Sequence, residues 1–253
     1  MYKRIAITLL LLTVSFETFS TECVVLLHGL ARTSSSMNEL ASKLTEAGFA
    51  VANVDYPSRK RSILELSEIA VNDGIAQCSK TNSLSLNYVT HSLGGVLVRQ
   101  YYKNHPPSNV KRVVMLGPPN NGSEVTDNLK NIPGYELLNG PAGMELGTAE
   151  NDVPKNLGPV NFELGVIAGT QSINLLLSNY LPNPDDGKVS VESTKVMGMC
   201  GFIALPVTHP FMMTNDKVID EVINFLKSGV FIGQSEGNKI SECMKNSRQG
   251  KST

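Results

Sequence analysis

The most informative segment of this chain spans residues 84–102 and reads LSLNYVTHSLGGVLVRQYY. Its first six residues predict a β-strand and its last eight predict a helix, with Ser92 at the apex of the short turn between them. Such a turn lifts a serine hydroxyl out of the sheet and places Oγ at the helix N-terminus, where backbone N–H groups favour negative charge. The segment therefore predicts that Ser92 is a nucleophile.

The residues two positions before and after this serine must be small, because strand and helix approach each other closely there. Gly94 meets this requirement, whereas Thr90 stands where glycine is usual. Threonine is larger than glycine, but it is still compatible with the requirement for a small residue. The alternative interpretation is that Ser92 is a buried turn serine that caps the helix.

Length and charge limit the kind of protein. The chain has 253 residues, a net charge of −1 and 41% hydrophobic residues. This length is enough for one α/β domain with a large core or for two small domains. The near-neutral charge argues against nucleic acid as a partner. The oligomeric state stays open.

Residues 1–20 predict a secretory signal peptide. Lys3 and Arg4 provide its basic start. Residues 5–14 form an apolar run that is too short to span a bilayer comfortably, and Ser20 is a small residue at the expected cleavage point. An uncleaved membrane anchor is the alternative. The expected location of the mature protein is the periplasm or the outside of the cell.

Strand and helix patterns alternate along the rest of the chain. The predicted strands are 23–27, 49–56, 84–89, 110–117, 164–169 and 202–207, and the predicted helices are 35–47, 62–78, 95–104 and 215–226. Residues 118–160 are rich in Gly, Pro and Asn and predict a short cap or loop region without clear elements. The folded domain is expected to cover 21–228, followed by a polar, loosely packed tail over 229–253.

This alternation predicts an α/β fold with a mainly parallel sheet of about six strands and helices on both faces. In such sheets, ligands bind beyond the carboxyl ends of the strands. The residues that follow strand ends, and therefore converge on one edge, are His28, Ser92, Pro118, Thr170 and His209.

The cysteines are Cys23, Cys78, Cys200 and Cys243, and none of them has the spacing of a metal-ligand pair. An even number of cysteines in an exported protein predicts disulfides. Cys23 with Cys78, and Cys200 with Cys243, fall at the edge of the sheet opposite Ser92, which favours these two pairings. Free buried thiols are the alternative.

A serine nucleophile needs a base, which is usually histidine. His28 precedes Gly29 in the first strand-end loop, and His91 lies on a turn that is expected to point it elsewhere. His105 lies at the far end of the helix that follows Ser92. His209 follows the last strand, so position and elimination both favour it as the base.

The acid that orients the base follows the serine and precedes the histidine in chains with this strand–turn–helix motif. The candidates are Asp185, Asp186 and Glu192. Asp186 is favoured because residues 187–189 form a turn that can present its carboxylate. Asp185 is the alternative, and both aspartates also fit an ordinary turn.

The negative oxygen that forms during acyl transfer needs two N–H donors. The backbone N–H of Leu93, directly after the nucleophile, is one candidate. The N–H of Leu30, after His28 and Gly29, is the other. Gly29 supports this loop because a glycine lets the backbone approach the substrate oxygen.

Five motifs together resemble a known family. They are VLLHGL (25–30), THSLGG (90–95), LGPPNNGSE (116–124), DGKV (186–189) and PVTH (206–209). They look like the bacterial lipase/esterase branch of the α/β-hydrolase superfamily, and LGPPNNGSE is similar to the segment in lipases related to the GPI inositol-deacylase group. The resemblance covers roughly residues 23–227.

The resemblance implies the α/β-hydrolase fold and hydrolysis of a small-molecule or lipid ester through an acyl-enzyme on Ser92, His209 and Asp186. In the family, the aspartate of D-G-x-V is the acid, which supports Asp186. No cofactor is expected, and no metal, because no cluster has calcium-ligand spacing. The family's lid corresponds to the region 118–160, which is short here, so its action as a lid stays open.

Three other functions fit the same residues. An acyltransferase would use the same acyl-enzyme with an alcohol in place of water, and a peptidase or amidase would use the same triad. An inactive scaffold that only binds a partner would keep the fold without the chemistry. A transient contact with a membrane surface is compatible with a lipid ester as substrate.

Overall fold

A parallel sheet forms the centre of the molecule. The computed structural model describes residues 22–81, 83, 85–234 and 243. The strands of this part of the chain are β1 (Cys23–Leu27), β2 (Ala50–Val54), β3 (Leu86–His91), β4 (Val110–Leu116), β5 (Leu164–Gly169) and β6 (Gly201–Leu205). These six described strands form one sheet in the order β2-β1-β3-β4-β5-β6, with every neighbouring pair parallel. The predicted α/β class and number of strands are confirmed.

Helices connect the strands. The α-helices of the described residues are α1 (Asn38–Glu46), α2 (Ile63–Ser79), α3 (Leu93–Asn104), α4 (Glu124–Leu129), α5 (Tyr135–Met144), α6 (Val153–Asn156), α7 (Leu175–Ser178), α8 (Val191–Thr194) and α9 (Asp216–Ser228). In the same residues, 3-10 helices cover Ser34–Met37 and His209–Thr214. The predicted helices correspond to α1, α2, α3 and α9, with ends displaced by a few residues.

The sheet has a hydrophobic core on each face, because side chains alternate along a strand. In β1, Val25 and Leu27 pack in the core that includes residues of α2 and α3. Val24 and Leu26 point to the opposite core, which includes residues of α1 and α9. Both faces are apolar, as expected for a parallel sheet that is covered on both sides.

Residues 118–160, called the cap from here on, are more regular than their composition predicts. They contain α4, α5 and α6, so the expectation of a region without clear elements was wrong. These helices escape periodicity analysis because they are short, and because α5 is interrupted at Gly140, which precedes Pro141.

The packed chain extends past residue 228, where the loosely packed tail was expected to begin. Phe231 is fully buried and its ring lies 4.8 Å from that of Phe225 in α9. The predicted signal peptide (1–20) and the tail beyond residue 234, except Cys243, lie outside the described residues. Within the described part of the chain, no helix is both long and apolar enough to cross a membrane.

Two disulfides join described cysteines. Cys23 at the start of β1 is bonded to Cys78 in α2. Cys200, directly before β6, is bonded to Cys243. Both predicted pairings are confirmed, and the alternative of free buried thiols is excluded.

Candidate active site

Ser92 lies at the strained turn that the sequence predicts. It stands between β3 and α3 with φ 53° and ψ −118°, a left-handed conformation that typically costs a non-glycine residue about 1–3 kcal/mol. Its backbone N–H donates to the carbonyl of Leu116 in the neighbouring strand, with an N–O distance of 2.9 Å. Strain of this kind persists only where the surrounding structure fixes it, and it is concentrated at functional sites.

Close backbone contacts around Ser92 account for the glycines beside it. A Cβ atom on Gly94 would lie 2.6 Å from the carbonyl oxygen of Leu27, and one on Gly29 would lie 2.7 Å from Nδ1 of His91. Both distances are too short for a side chain. Thr90 is completely buried at the end of β3, so its size is accommodated within the core.

His209 and Asp186 form a buried pair at the same edge of the sheet. Nδ1 of His209 donates to Oδ2 of Asp186 over 2.6 Å. The other carboxylate oxygen accepts the backbone N–H groups of Lys188 (2.9 Å) and Val189 (2.8 Å). Both oxygens are therefore held, and the carboxylate fixes the histidine tautomer that carries its proton on Nδ1. This tautomer leaves Nε2 of His209 free to act as a base.

The other candidate acids do not reach His209. Asp185 is buried, and its carboxylate accepts the N–H of Gly187 (2.7 Å) and the hydroxyl of Ser178 instead of a histidine N–H. Glu192 is exposed and forms an ion pair with Lys195. Of the three predicted candidates, the structure brings only Asp186 to the histidine.

His28 supports the loop that carries Leu30. Its Nδ1 donates to the carbonyl of Gly29 over 2.9 Å, and its ring stacks on Tyr56 with centroids 4.0 Å apart. Burial lowers the pKa of His28, so the ring is held neutral. His105, at the far end of α3, pairs with Glu68 and is remote from the other site residues.

His91 does not point away from the site, contrary to the expectation from the sequence. Its ring lies 4.7 Å from that of His209, and its Nε2 donates to the backbone carbonyl of His209 over 3.0 Å. Burial lowers the pKa of His91 well below its ordinary value, and the charges of His209 and Arg32 add to this effect. His91 is therefore a neutral donor that fixes the backbone of His209. The signal for this role in the sequence was the position of His91 directly before Ser92, at the end of β3.

Two backbone donors at the site have no acceptor. Among the described residues, nothing accepts the N–H of Leu30 or that of Leu93. Between Leu30 and Arg32, Ala31 adopts a left-handed φ of 56°, and its N–H donates to Oγ of Ser58 over 3.1 Å. The side chain of Ser92 likewise has no hydrogen-bond partner among the described residues. The site thus offers a free hydroxyl and two free N–H groups.

One cavity of about 350 Å³ lies at this edge of the sheet. Its lining includes Ser92, Asp186, His209 and Leu30. The cap contributes Pro119, Ser123, Val125, Thr126, Tyr135, Asn139 and Leu146. The cavity therefore lies between the carboxyl edge of the sheet and the cap.

Charged side chains make contacts within the cap and between the cap and α2. Lys130 contacts Asp127 and Asp152, each at 3.4 Å. Glu145 accepts the N–H of Ile63, the first residue of α2, over 2.7 Å. The Lys130 contacts join two parts of the cap to each other, and Glu145 joins the cap to α2. Backbone bonds from the cap to residues 61 and 193 attach it as well.

The chain is similar to a known protein family. Residues 23–157, more than half of the chain, match the family model described as palmitoyl protein thioesterase. A search of curated proteins finds no sequence that matches.

Solved structures of lipases share the fold. The mature form of Bacillus licheniformis lipase BlEst2 superposes with a TM-score of 0.63 at 16% identity, covering 84% of this chain and 92% of that chain. The propeptide form of the same lipase superposes with a TM-score of 0.64 at 17% sequence identity, covering 83% of this chain and 51% of that chain, so this chain spans about half the length of that form. Aspergillus fumigatus lipase B superposes with a TM-score of 0.60 at 14% identity, covering 82% of this chain and 52% of that chain.

The chain has the α/β-hydrolase fold of the lipase/esterase branch, and it belongs to the palmitoyl protein thioesterase family.

Proposed function

We propose that this protein is a serine hydrolase that cleaves carboxylic esters or thioesters, with Ser92 as nucleophile, His209 as base and Asp186 as the acid that orients the base. The observation that carries the proposal is the 2.6 Å pair between His209 and Asp186 in the same cavity as the strained Ser92. The name of the matched family favours thioesters, and the lipase fold favours oxygen esters.

The chemistry follows from the free groups of the site. Oγ of Ser92 attacks the substrate carbonyl while its proton passes to Nε2 of His209, and Asp186 stabilises the imidazolium that results. The negative oxygen of the tetrahedral intermediate accepts the N–H groups of Leu30 and Leu93.

Collapse of the intermediate breaks the bond to the alcohol or thiol, which leaves with the proton from His209. Water then attacks the acyl group on Ser92 in the same way, with His209 taking the proton of the water. The acid is released and the Ser92 hydroxyl is restored.

Apolar residues around the cavity support a lipid as the acyl part of the substrate. Ile173 lines the cavity and is 67% exposed. Leu176, three residues further along the chain, is 78% exposed. Leu137 and Leu138 are exposed on α5, which also lines the cavity through Tyr135. We propose a transient contact of this surface with membranes, which co-sedimentation with phosphatidylcholine vesicles tests.

The disulfides support action outside the cytoplasm. Disulfides persist in oxidising compartments such as the periplasm or the extracellular space. Cleavage after Ser20 would be read from the N-terminal sequence of the exported protein.

Detection of the acyl-enzyme tests the proposal. The protein is mixed with 4-nitrophenyl butyrate or S-phenyl thiobutyrate, quenched with acid and digested for mass spectrometry. We expect a butyryl group on the Ser92 peptide, and neither adduct nor turnover with Ser92→Ala. Retained turnover by a folded Ser92→Ala variant would refute the assignment. Product analysis with added butanol separates hydrolysis from acyl transfer.

A further inference from the structure

Two cationic residues line the cavity and form no ion pair with a described residue. Arg32 follows the loop that carries Leu30, Lys188 lies in the turn after Asp186, and both side chains are among the residues that line the cavity with Ser92. Among the described residues, neither side chain has a hydrogen-bond or ion-pair partner. Lys130 of the cap, in contrast, is shared between two aspartates.

The remaining charge of the cavity does not neutralise them. Asp186 is the only carboxylate among the described residues that line the cavity. Its oxygens are already held by His209 and by the N–H groups of Lys188 and Val189. The cavity therefore carries an excess of positive charge.

The fields of both cations reach the reacting groups. The charge of Arg32 contributes to the lowered pKa of His91, which contacts His209. Partial burial lowers the pKa of the Lys188 ammonium, while the neighbouring charge of Asp186 opposes this shift. The ammonium has thus lost part of its hydration, and a bound anion would replace the lost water.

The arrangement of polarity sets the orientation of the substrate. Val125, Leu146 and Val189 line the cavity and are buried, so they form its apolar interior. Arg32 and Lys188 each keep part of their surface in contact with solvent, which places them at its mouth. An apolar acyl chain fits the interior, which leaves the alcohol or thiol side of the substrate at the mouth.

We propose that Arg32 and Lys188 bind an anionic group, a phosphate or a carboxylate, on the leaving-group side of the substrate. The inference rests on the proposed hydrolase function, and it narrows the substrate to acyl esters or thioesters of anionic alcohols or thiols. Hydrogen bonds between a cation and an anion are stronger than neutral ones, so the two cations would favour such substrates over neutral ones of the same shape.

Matched butyrate esters test this proposal. The leaving groups are phenol, 4-hydroxybenzoate and 4-hydroxyphenyl phosphate, which separate carboxylate from phosphate recognition. The readout is the ratio of kcat/KM for each anionic ester to that for phenyl butyrate. Comparison of this ratio between variants cancels the intrinsic reactivity of each leaving group.

We expect the ratio to fall about 10-fold in Arg32→Gln and in Lys188→Gln, and further in the double variant. Arg32→Lys and Lys188→Arg keep the charge and should keep most of the ratio. Lys155→Gln is the matched control, because it removes the same charge from an exposed residue that does not line the cavity.

The outcomes separate the two proposals. An unchanged ratio in both charge-removing variants, with phenyl butyrate still cleaved by the wild type, would overturn the anion site alone. A further ester, monophenyl glutarate, carries its carboxylate on the acyl side. If the charge-removing variants lower kcat/KM relative to phenyl butyrate for this ester alone, the placement of the anion site at the leaving group would be overturned. No cleavage of any ester or of the matching S-phenyl thioester by the wild type would overturn the hydrolase function itself.

Discussion

The carboxyl edge of the sheet and the cap hold their residues in different ways. At the sheet edge, backbone groups bond to each other: the N–H of Ser92 donates to Leu116, and the N–H of His209 donates to the carbonyl of Asp186 over 3.0 Å. In the cap, Lys130 lies between two aspartates and Glu145 reaches the start of α2.

This difference separates reactivity from selectivity. Backbone bonds, together with the side chains of Asp186 and His91, fix the reacting groups, so changes at the edge should affect the rate of the chemical step. The cap depends in part on the contacts of charged side chains, so changes to them should affect stability and substrate binding.

Asp186→Asn should reduce kcat by about 10⁴-fold, because an amide no longer fixes the tautomer or stabilises the imidazolium of His209. Asp185→Asn is the matched control on the adjacent residue, and its kcat should stay within about 10-fold of wild type, since the Asp185 carboxylate bonds to Gly187 and Ser178 and not to His209. Steady-state kinetics with 4-nitrophenyl butyrate measures both. Equal losses in the two variants would mean that the acid is wrongly assigned.

Gly29→Ala should reduce kcat by about 10²–10³-fold, the usual effect of losing one oxyanion donor. The new Cβ would lie 2.7 Å from Nδ1 of His91 and force the Leu30 loop away from Ser92. Gly48→Ala is the control for backbone strain away from the site. Gly48 has φ 97°, so the substitution is strained, but its Cβ would meet no atom within 4 Å and the residue is outside the cavity, so kcat of the folded protein should stay near wild type. Wild-type kcat in a folded Gly29→Ala protein would contradict the role of the Leu30 N–H.

Lys130→Met should lower the free energy of unfolding by about 2 kcal/mol, between the values for exposed and buried ion pairs, because two aspartates lose their shared cation. KM should rise several-fold while kcat changes little. Lys195→Met removes the exposed pair with Glu192 and should change stability and kinetics very little. Urea unfolding and initial rates provide both readouts. A large loss of kcat in Lys130→Met would show that the cap takes part in the chemistry.

Mild acid should destabilise the edge through its buried histidines. The pKa of His91 is well below 6.5 in the folded protein, so the unfolded chain binds a proton first as the pH falls. Stability should therefore decrease below pH 6.5, by about 1.4 kcal/mol from His91 between pH 7.5 and 5.5. His28, whose pKa is also lowered, adds to the decrease.

Urea unfolding at pH 7.5, 6.5 and 5.5 measures this dependence, and His91→Asn should reduce it. A free energy of unfolding that does not change over this range would contradict the neutral, buried state of His91.

The sheet edge was largely predictable from the sequence. Continuous apolar runs predict the strands, and the residues directly after them must meet at one edge of a parallel sheet. The strand–turn–helix motif is local, so the turn at Ser92 could be predicted from its neighbours alone. The choice between Asp185 and Asp186 needed the structure, because only the turn decides which of two adjacent side chains points to His209.

The cap could not be predicted in the same way. Helices as short as α4 and α6 have too few residues to show a period, and they are held by contacts distant in sequence, such as that of Lys130 with Asp152. The contact of His91 with His209 joins residues 118 positions apart. The local sequence was equally consistent with a turn that points His91 away from His209, which is why the expectation for His91 was wrong.

Labelling with a fluorophosphonate probe tests the central claim, that the sheet edge activates Ser92. We expect the folded wild type to be labelled, Ser92→Ala not to be labelled, and His209→Ala to be labelled more slowly by several orders of magnitude. Equal labelling of wild type and Ser92→Ala, or a folded wild type that is not labelled, would contradict this claim.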